Sequence, residues 1–84
     1  MPAYQLDKWK SANWQRGNRF YRCEITQDLF GNWLVVRRWG AIDSRRWGSK
    51  DEVCQDYAEA QKLFGAVAKR REKRQYIPIG ENQW

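Results

Sequence analysis

The sequence predicts an α+β domain in which an antiparallel β-sheet packs against one long α-helix, and three observations carry that reading. Arg19 to Thr26 and Asn32 to Trp39 are two runs of strand length, and the Asp and Gly of the intervening Gln27-Asp28-Leu29-Phe30-Gly31 suit a hairpin reversal. Further on, Val53, Tyr57, Ala60, Phe64 and Val67 recur at spacings of 4, 3, 4 and 3, an amphipathic stripe widened by Cys54, Leu63 and Ala68. Finally, the chain is 84 residues long. A chain of that size buries only about 60–65% of the surface its unfolded form exposes, which leaves room for one core and not two.

In chain order, residues 1–18 are polar with isolated rings at Tyr4, Trp9 and Trp14 and no useful periodicity, so they read as an irregular arm pinned to a sheet edge by its tryptophans. Gln15-Arg16-Gly17-Asn18 is the turn into the hairpin. After the hairpin, Ser44-Arg45-Arg46-Trp47-Gly48 reads as a third short strand. Ser49-Lys50-Asp51-Glu52 then fits a capping box that starts the helix, which runs to about Arg74. Gly65 within the helix costs about 1 kcal/mol relative to Ala, which points to a close approach to the sheet. Tyr76-Ile77-Pro78-Ile79 is extended, with Pro78 confining it to an edge, and residues 80–84 form a frayed tail. The folded domain is thereby bounded at residues 19–79.

The period of two sorts each strand into faces. Tyr21, Cys23 and Ile25 separate from Phe20, Arg22, Glu24 and Thr26, and Leu34 and Val36 separate from Trp33, Val35, Arg37 and Trp39. The first set of each strand is assigned to the core. The second set of the second strand, rings mixed with charge, is kept for a ligand or else builds a second small core. The charge supports a ligand. Residues 1–18 hold three bases against one acid, residues 19–50 seven against three, and residues 51–84 six against six, so the net +6 sits largely on the sheet. A basic sheet attracts polyanions, of which nucleic acid is the commonest. The run Lys69-Arg70-Arg71-Glu72-Lys73-Arg74 has two readings, a complement to the helix dipole or a phosphate-facing patch.

Arg19-Phe20-Tyr21, Asp28-Leu29-Phe30-Gly31-Asn32-Trp33 and Arg37-Arg38-Trp39-Gly40 together resemble the WGR domain, a module of poly(ADP-ribose) polymerases that also occurs as short stand-alone bacterial proteins. The resemblance runs from about Arg19 to Tyr76. It implies a curved antiparallel sheet on one helix and binding to DNA near strand ends, with the residue matching Trp39 stacking on the ribose of a DNA terminus. The signature's third letter is Ala41 here, where the family usually has Arg.

Chemistry is a poor fit to these residues. The chain has no His, and its two cysteines, Cys23 and Cys54, are too few and too far apart for a zinc site, so neither a metal nor a cofactor is expected. No phosphate loop or nucleophile elbow can be assembled, and an enzyme is not expected. No stretch approaches a membrane span or a secretory leader. The expected setting is therefore cytoplasmic, with both thiols reduced and buried. The leading reading is a sequence-independent DNA-binding module for ends, nicks or single-stranded stretches. Trp33, Trp39 and Trp47 offer rings, Arg37, Arg38, Arg45, Arg46 and Lys50 contact phosphate, and Gly40 belongs to the Trp-Gly signature. The alternative is an adaptor that binds a protein partner through the same aromatic patch.

Overall fold

The computed structural model describes the backbone of residues 4–83 and the side chains of residues 4–80. After a single 3-10 turn at Leu6–Lys8 come β1 (Lys10–Arg16), β2 (Arg19–Gln27), β3 (Trp33–Ala41), β4 (Trp47–Cys54), α1 (Tyr57–Lys73) and β5 (Ile77–Gln83). The strands form one open antiparallel sheet in the order β4-β3-β2-β1-β5, and α1 lies across one of its faces. This is the predicted α+β class. No helix among the described residues is long and apolar enough to cross a membrane.

The hairpin forms where expected. Asp28 closes its loop: its carboxylate accepts the N–H groups of Phe30 and Asn32, each at 2.9 Å. Desolvation works against ionisation there, but the N–H groups of Asn32, Phe30 and Gly31 outweigh it and hold the carboxyl below its ordinary value.

The faces of β3 are the reverse of those expected. Register places Val35 opposite Ile25, Arg37 opposite Cys23 and Trp39 opposite Tyr21, so Trp33, Val35, Arg37 and Trp39 look toward α1 while Leu34 and Val36 look away. Both phases of β3 contain apolar residues, so alternation by itself does not choose between them. The loop does. Five residues, Asp28 to Asn32, separate the paired Gln27 and Trp33, and an odd-length loop sets odd-numbered residues opposite odd-numbered ones.

Residues 10–16 are a strand rather than an irregular arm. β1 pairs along its whole length with β2 through a two-residue Gly17-Asn18 turn, Gly17 adopting φ 60. Its inward residues, Ala12 and Trp14, are fully buried, and Trp14 is among the largest fully buried side chains of the core. Only two inward apolar positions mark that face, which is why the alternation is faint. β5 continues through residues 80–83 opposite β1, where the sequence suggests a frayed tail; Trp84 lies outside the described residues.

The helix begins later than the sequence suggests. Ser49 to Glu52 are strand, and the true N-cap is Asp56, whose side chain accepts the Glu59 N–H at 2.8 Å. Ser49-x-x-Glu52 and Asp56-x-x-Glu59 are both capping patterns, but eight residues of pairing with β3 claim the first for the sheet. Val53 consequently lies on the outer face of β4, 64% exposed, and is no part of the helical stripe. Ala60, Phe64 and Val67 do form that stripe, and each large side chain fully buried there contributes about 1.5–3 kcal/mol. Gly65 faces solvent, and a Cβ added there would meet nothing within 4 Å, so the expected close approach does not occur at that position.

Cys23 and Cys54 are free and buried in this core. Burial pushes the Cys23 thiol up to about 12 and raises that of Cys54 too, which keeps both unreactive at neutral pH.

Candidate nucleic-acid interface

Two tryptophan-glycine pairs interlock β3 and β4 at one end of the sheet. In register, Trp39 stands opposite Gly48 and Gly40 opposite Trp47. A Cβ added at Gly48 would lie 2.6 Å from Cε2 of Trp39, and one added at Gly40 would lie 2.7 Å from Cβ of Trp47. Gly48 is therefore required by the Trp39 indole, and Gly40 by the close approach of the backbone and Cβ at Trp47. Trp39 lies on the helix side of the sheet, stacked on Tyr21 with ring centroids 6.0 Å apart and an interplanar angle of 16°. It keeps 38% of its surface exposed. Trp47 projects from the opposite face, with the Arg38 guanidinium 6.0 Å from its ring.

The loops at this end are tied together. The N–H of Ile42 donates to the carbonyl of Asn18 at 2.6 Å, joining the β3-β4 connection to the β1-β2 turn. Arg45 and Arg46 in that connection, and Arg16 and Arg19 flanking the turn, are all exposed and make no ion pair among the described residues.

The helix brings its own cations to the same end. α1 closes with a reversal in which Gln75 takes φ 64 and the Tyr76 N–H donates back to the carbonyl of Arg71 at 3.0 Å. That turn folds Tyr76 over the Arg71 side chain. Arg71, part of the run read as a dipole complement or a phosphate-facing patch, is buried: its guanidinium sits 4.1 Å from the Tyr21 ring centroid and 5.0 Å from that of Tyr76. The exposed Arg74 is left facing the β1-β2 turn across an open cleft.

Two clefts result. One, of about 630 Å³, is lined by Arg16, Gly17, Asn18, Arg19, Arg74 and Tyr76. The other, of about 210 Å³, is lined by Arg19, Phe20, Trp39, Gly40, Ala41 and Tyr76. They share Arg19 and Tyr76, and no carboxylate lines either. Three guanidinium groups beside one half-open indole have the chemistry to pair with anionic oxygens and to stack on a flat ring or sugar.

The residues singled out from sequence thus divide. Trp39, Gly40, Arg45 and Arg46 meet at this end, and Arg38 and Trp47 lie beside it on the outer face. Trp33, Arg37 and Lys50 do not join them. Trp33 sits at the far end of β3, half-buried with its ring 4.7 Å from that of Tyr57 in α1. Arg37 points toward the helix and donates from Nη2 to Oε1 of Glu52 at 2.7 Å, and Lys50 approaches the same oxygen at 3.2 Å. Conversely, reasoning from the sequence misses Arg16, Arg19 and Tyr76, and reaches Arg74 only as part of a basic run with two readings. Arg19 is legible as a cation beside a turn, but the meeting of residues from β1, β2 and the end of α1 depends on strand order, which no local pattern reports.

The WGR domain family profile matches residues 6–83, and the chain belongs to the WGR domain family. No curated protein and no solved structure matches it. WGR domains are in general nucleic-acid-binding modules of poly(ADP-ribose) polymerase-like proteins. The match takes in β1, which the motifs alone leave outside the domain.

Proposed function

We propose that this WGR chain is a non-catalytic module that binds DNA at ends, nicks or single-stranded stretches without reading sequence, through the pole where Trp39 meets Arg16, Arg19 and Arg74. The observation that carries this reading is the pair of adjoining clefts sharing Arg19 and Tyr76, lined by cations and an exposed indole and by no carboxylate. A strand terminus suits such a site because the ring can stack on the last sugar while the guanidinium groups hold the phosphates that follow. Groove reading has no support: α1 spends its apolar face on the sheet, and no other helix longer than one turn is present among the described residues.

Anisotropy titrations with blunt, nicked, single-stranded and closed circular DNA at two salt concentrations test the reading. Micromolar or weaker binding is expected at moderate salt, in the range of about 10⁻⁴ to 10⁻⁶ M. Binding should favour DNA with ends or nicks and weaken steeply as salt rises. The double variant Arg19→Ala, Arg74→Ala should lower the salt slope by about 2, one for each phosphate that is no longer neutralised. If no DNA gave a signal at low salt, the second reading, a protein-contact surface, would take its place. That reading rests on the outer sheet face, where Trp47, Val53 and Ile77 are 57%, 64% and 66% exposed.

A further inference from the structure

The geometry points to a second anion site, separate from the Trp39 clefts: a cavity between α1 and the sheet that takes a phosphate-class oxyanion. The cavity encloses about 110 Å³ and is lined by Tyr21, Arg37, Leu63, Ala66, Val67, Arg70 and Arg71. Three of the seven are arginines, brought together from β3 and two consecutive positions of α1, and none is a carboxylate.

Two of these arginines have unused donors. Arg71 is only 7% exposed, makes no ion pair among the described residues, and its buried Nε–H has no acceptor. The buried Nε–H of Arg37 likewise has none, although Nη2 of the same group is held by Glu52. The rings of Tyr21 and Tyr76 offset part of the charge of Arg71 through their quadrupoles, but ring faces do not replace an oxygen acceptor. A buried guanidinium with an orphaned donor is costly unless something completes it.

Shape and direction narrow the occupant. At about 30 Å³ per water the cavity has roughly the room of three to four waters, enough for a small oxyanion and too little for a base or sugar. Its arginines come from two sides, Arg37 from the sheet and Arg70 and Arg71 from the helix. A tetrahedral oxyanion presents oxygens in both directions, whereas a planar carboxylate is satisfied by a single guanidinium fork. The chemistry is that of inorganic phosphate or of a terminal phosphoryl group.

The test follows the arginine Nε–H resonances of ¹⁵N-labelled protein during addition of sodium phosphate, against sodium chloride at matched ionic strength. The expected result is a saturable shift of the Arg71 and Arg37 signals with phosphate alone. Arg70→Ala removes an exposed side chain and so leaves the core untouched. It should raise the phosphate midpoint by about tenfold or more, the scale of one charge-assisted hydrogen bond. An oligonucleotide carrying a 5′-phosphate, compared with the same oligonucleotide ending in a hydroxyl, separates the sources. A shift with the phosphorylated form alone identifies a polymer terminus as occupant, and a shift with inorganic phosphate alone identifies the free ion. A response matched by chloride, an unchanged midpoint in Arg70→Ala, or silence toward both phosphate and the phosphorylated oligonucleotide overturns the site. Free phosphate is the primary probe, so the result is independent of whether the Trp39 pole binds DNA.

Discussion

Trp33 and Trp39 stand on the same face of the same strand, six residues apart, and the protein treats them oppositely. At about 3.3 Å per residue they lie roughly 20 Å from each other along β3. Over Trp33 the first turn of α1 brings down Tyr57, and Lys8 reaches over that ring in turn, its Nζ 5.3 Å from the centroid. Over Trp39 nothing comparable closes. Its support comes from Tyr21 behind it and the bare backbone of Gly48 beside it, and its open surface borders a cleft with Arg19. One indole has become packing material and the other a surface, and residue type, face and strand do not distinguish them. What differs is which part of α1 passes overhead.

This contrast can be broken in several ways. The largest effect is expected from Trp33→Ala, which should destabilise the fold by about 3 kcal/mol, the lower end for loss of a large core ring. At this chain length that lowers the melting temperature by on the order of 15 °C. DNA affinity, measured on the variant well below its melting point, should stay at the wild-type value; a parallel loss of binding would show that the two ends are not separate. Trp39→Ala should do the reverse. Loss of one stacking platform weakens DNA binding by about 1–3 kcal/mol, with a smaller thermal effect than at Trp33. Equal melting temperatures for the two alanine variants would return Trp39 to a purely structural role.

Gly48→Ala probes the same indole from below. The added methyl must displace the ring, at an overpacking cost of about 1–3 kcal/mol. A double-mutant cycle with Trp39→Ala should cancel most of that cost, because the three atoms nearest the added methyl all belong to the indole; a cost that persisted without the ring would place the strain in the backbone instead. The smallest effect is expected at Ala41, where the family's usual Arg is missing. Ala41 lines the Trp39 cleft with Arg19 already present there, so Ala41→Arg should change DNA affinity by less than about tenfold, or 1.4 kcal/mol. If that substitution created binding where the natural chain showed none, Ala41 would mark the loss of a DNA surface.

The errors of sequence reading share a cause. Trp33 and Arg37 fall to the ligand face because β3 carries apolar residues in both phases, and only pairing with β2 decides between them. Ser49 falls to a helix cap because Ser49-x-x-Glu52 and Asp56-x-x-Glu59 carry the same pattern, and only pairing with β3 decides between them. Arg71 groups with the basic run of the helix end because five cations and one acid give no local sign that one guanidinium turns inward between two tyrosines.

The amino-acid sequence by itself determined the α+β class, the β2-β3 hairpin with its Asp28-Gly31 reversal, the stripe of Ala60, Phe64 and Val67, and family membership through the spacing of RFY, DLFG-W and R-WG. All of these are local: they rest on periods of two and of 3.6, on turn chemistry, and on contiguous motifs. Tertiary structure alone decided the phase of β3, the recruitment of β1 into the sheet, the interlock of Trp39 with Gly48 and Trp47 with Gly40, and the convergence of Arg16, Arg19, Arg74 and Tyr76. Each of these depends on residues distant in the chain meeting through strand order and helix placement. Such pairings are set by competition for the buried face across the whole molecule, a quantity that no single stretch of sequence contains.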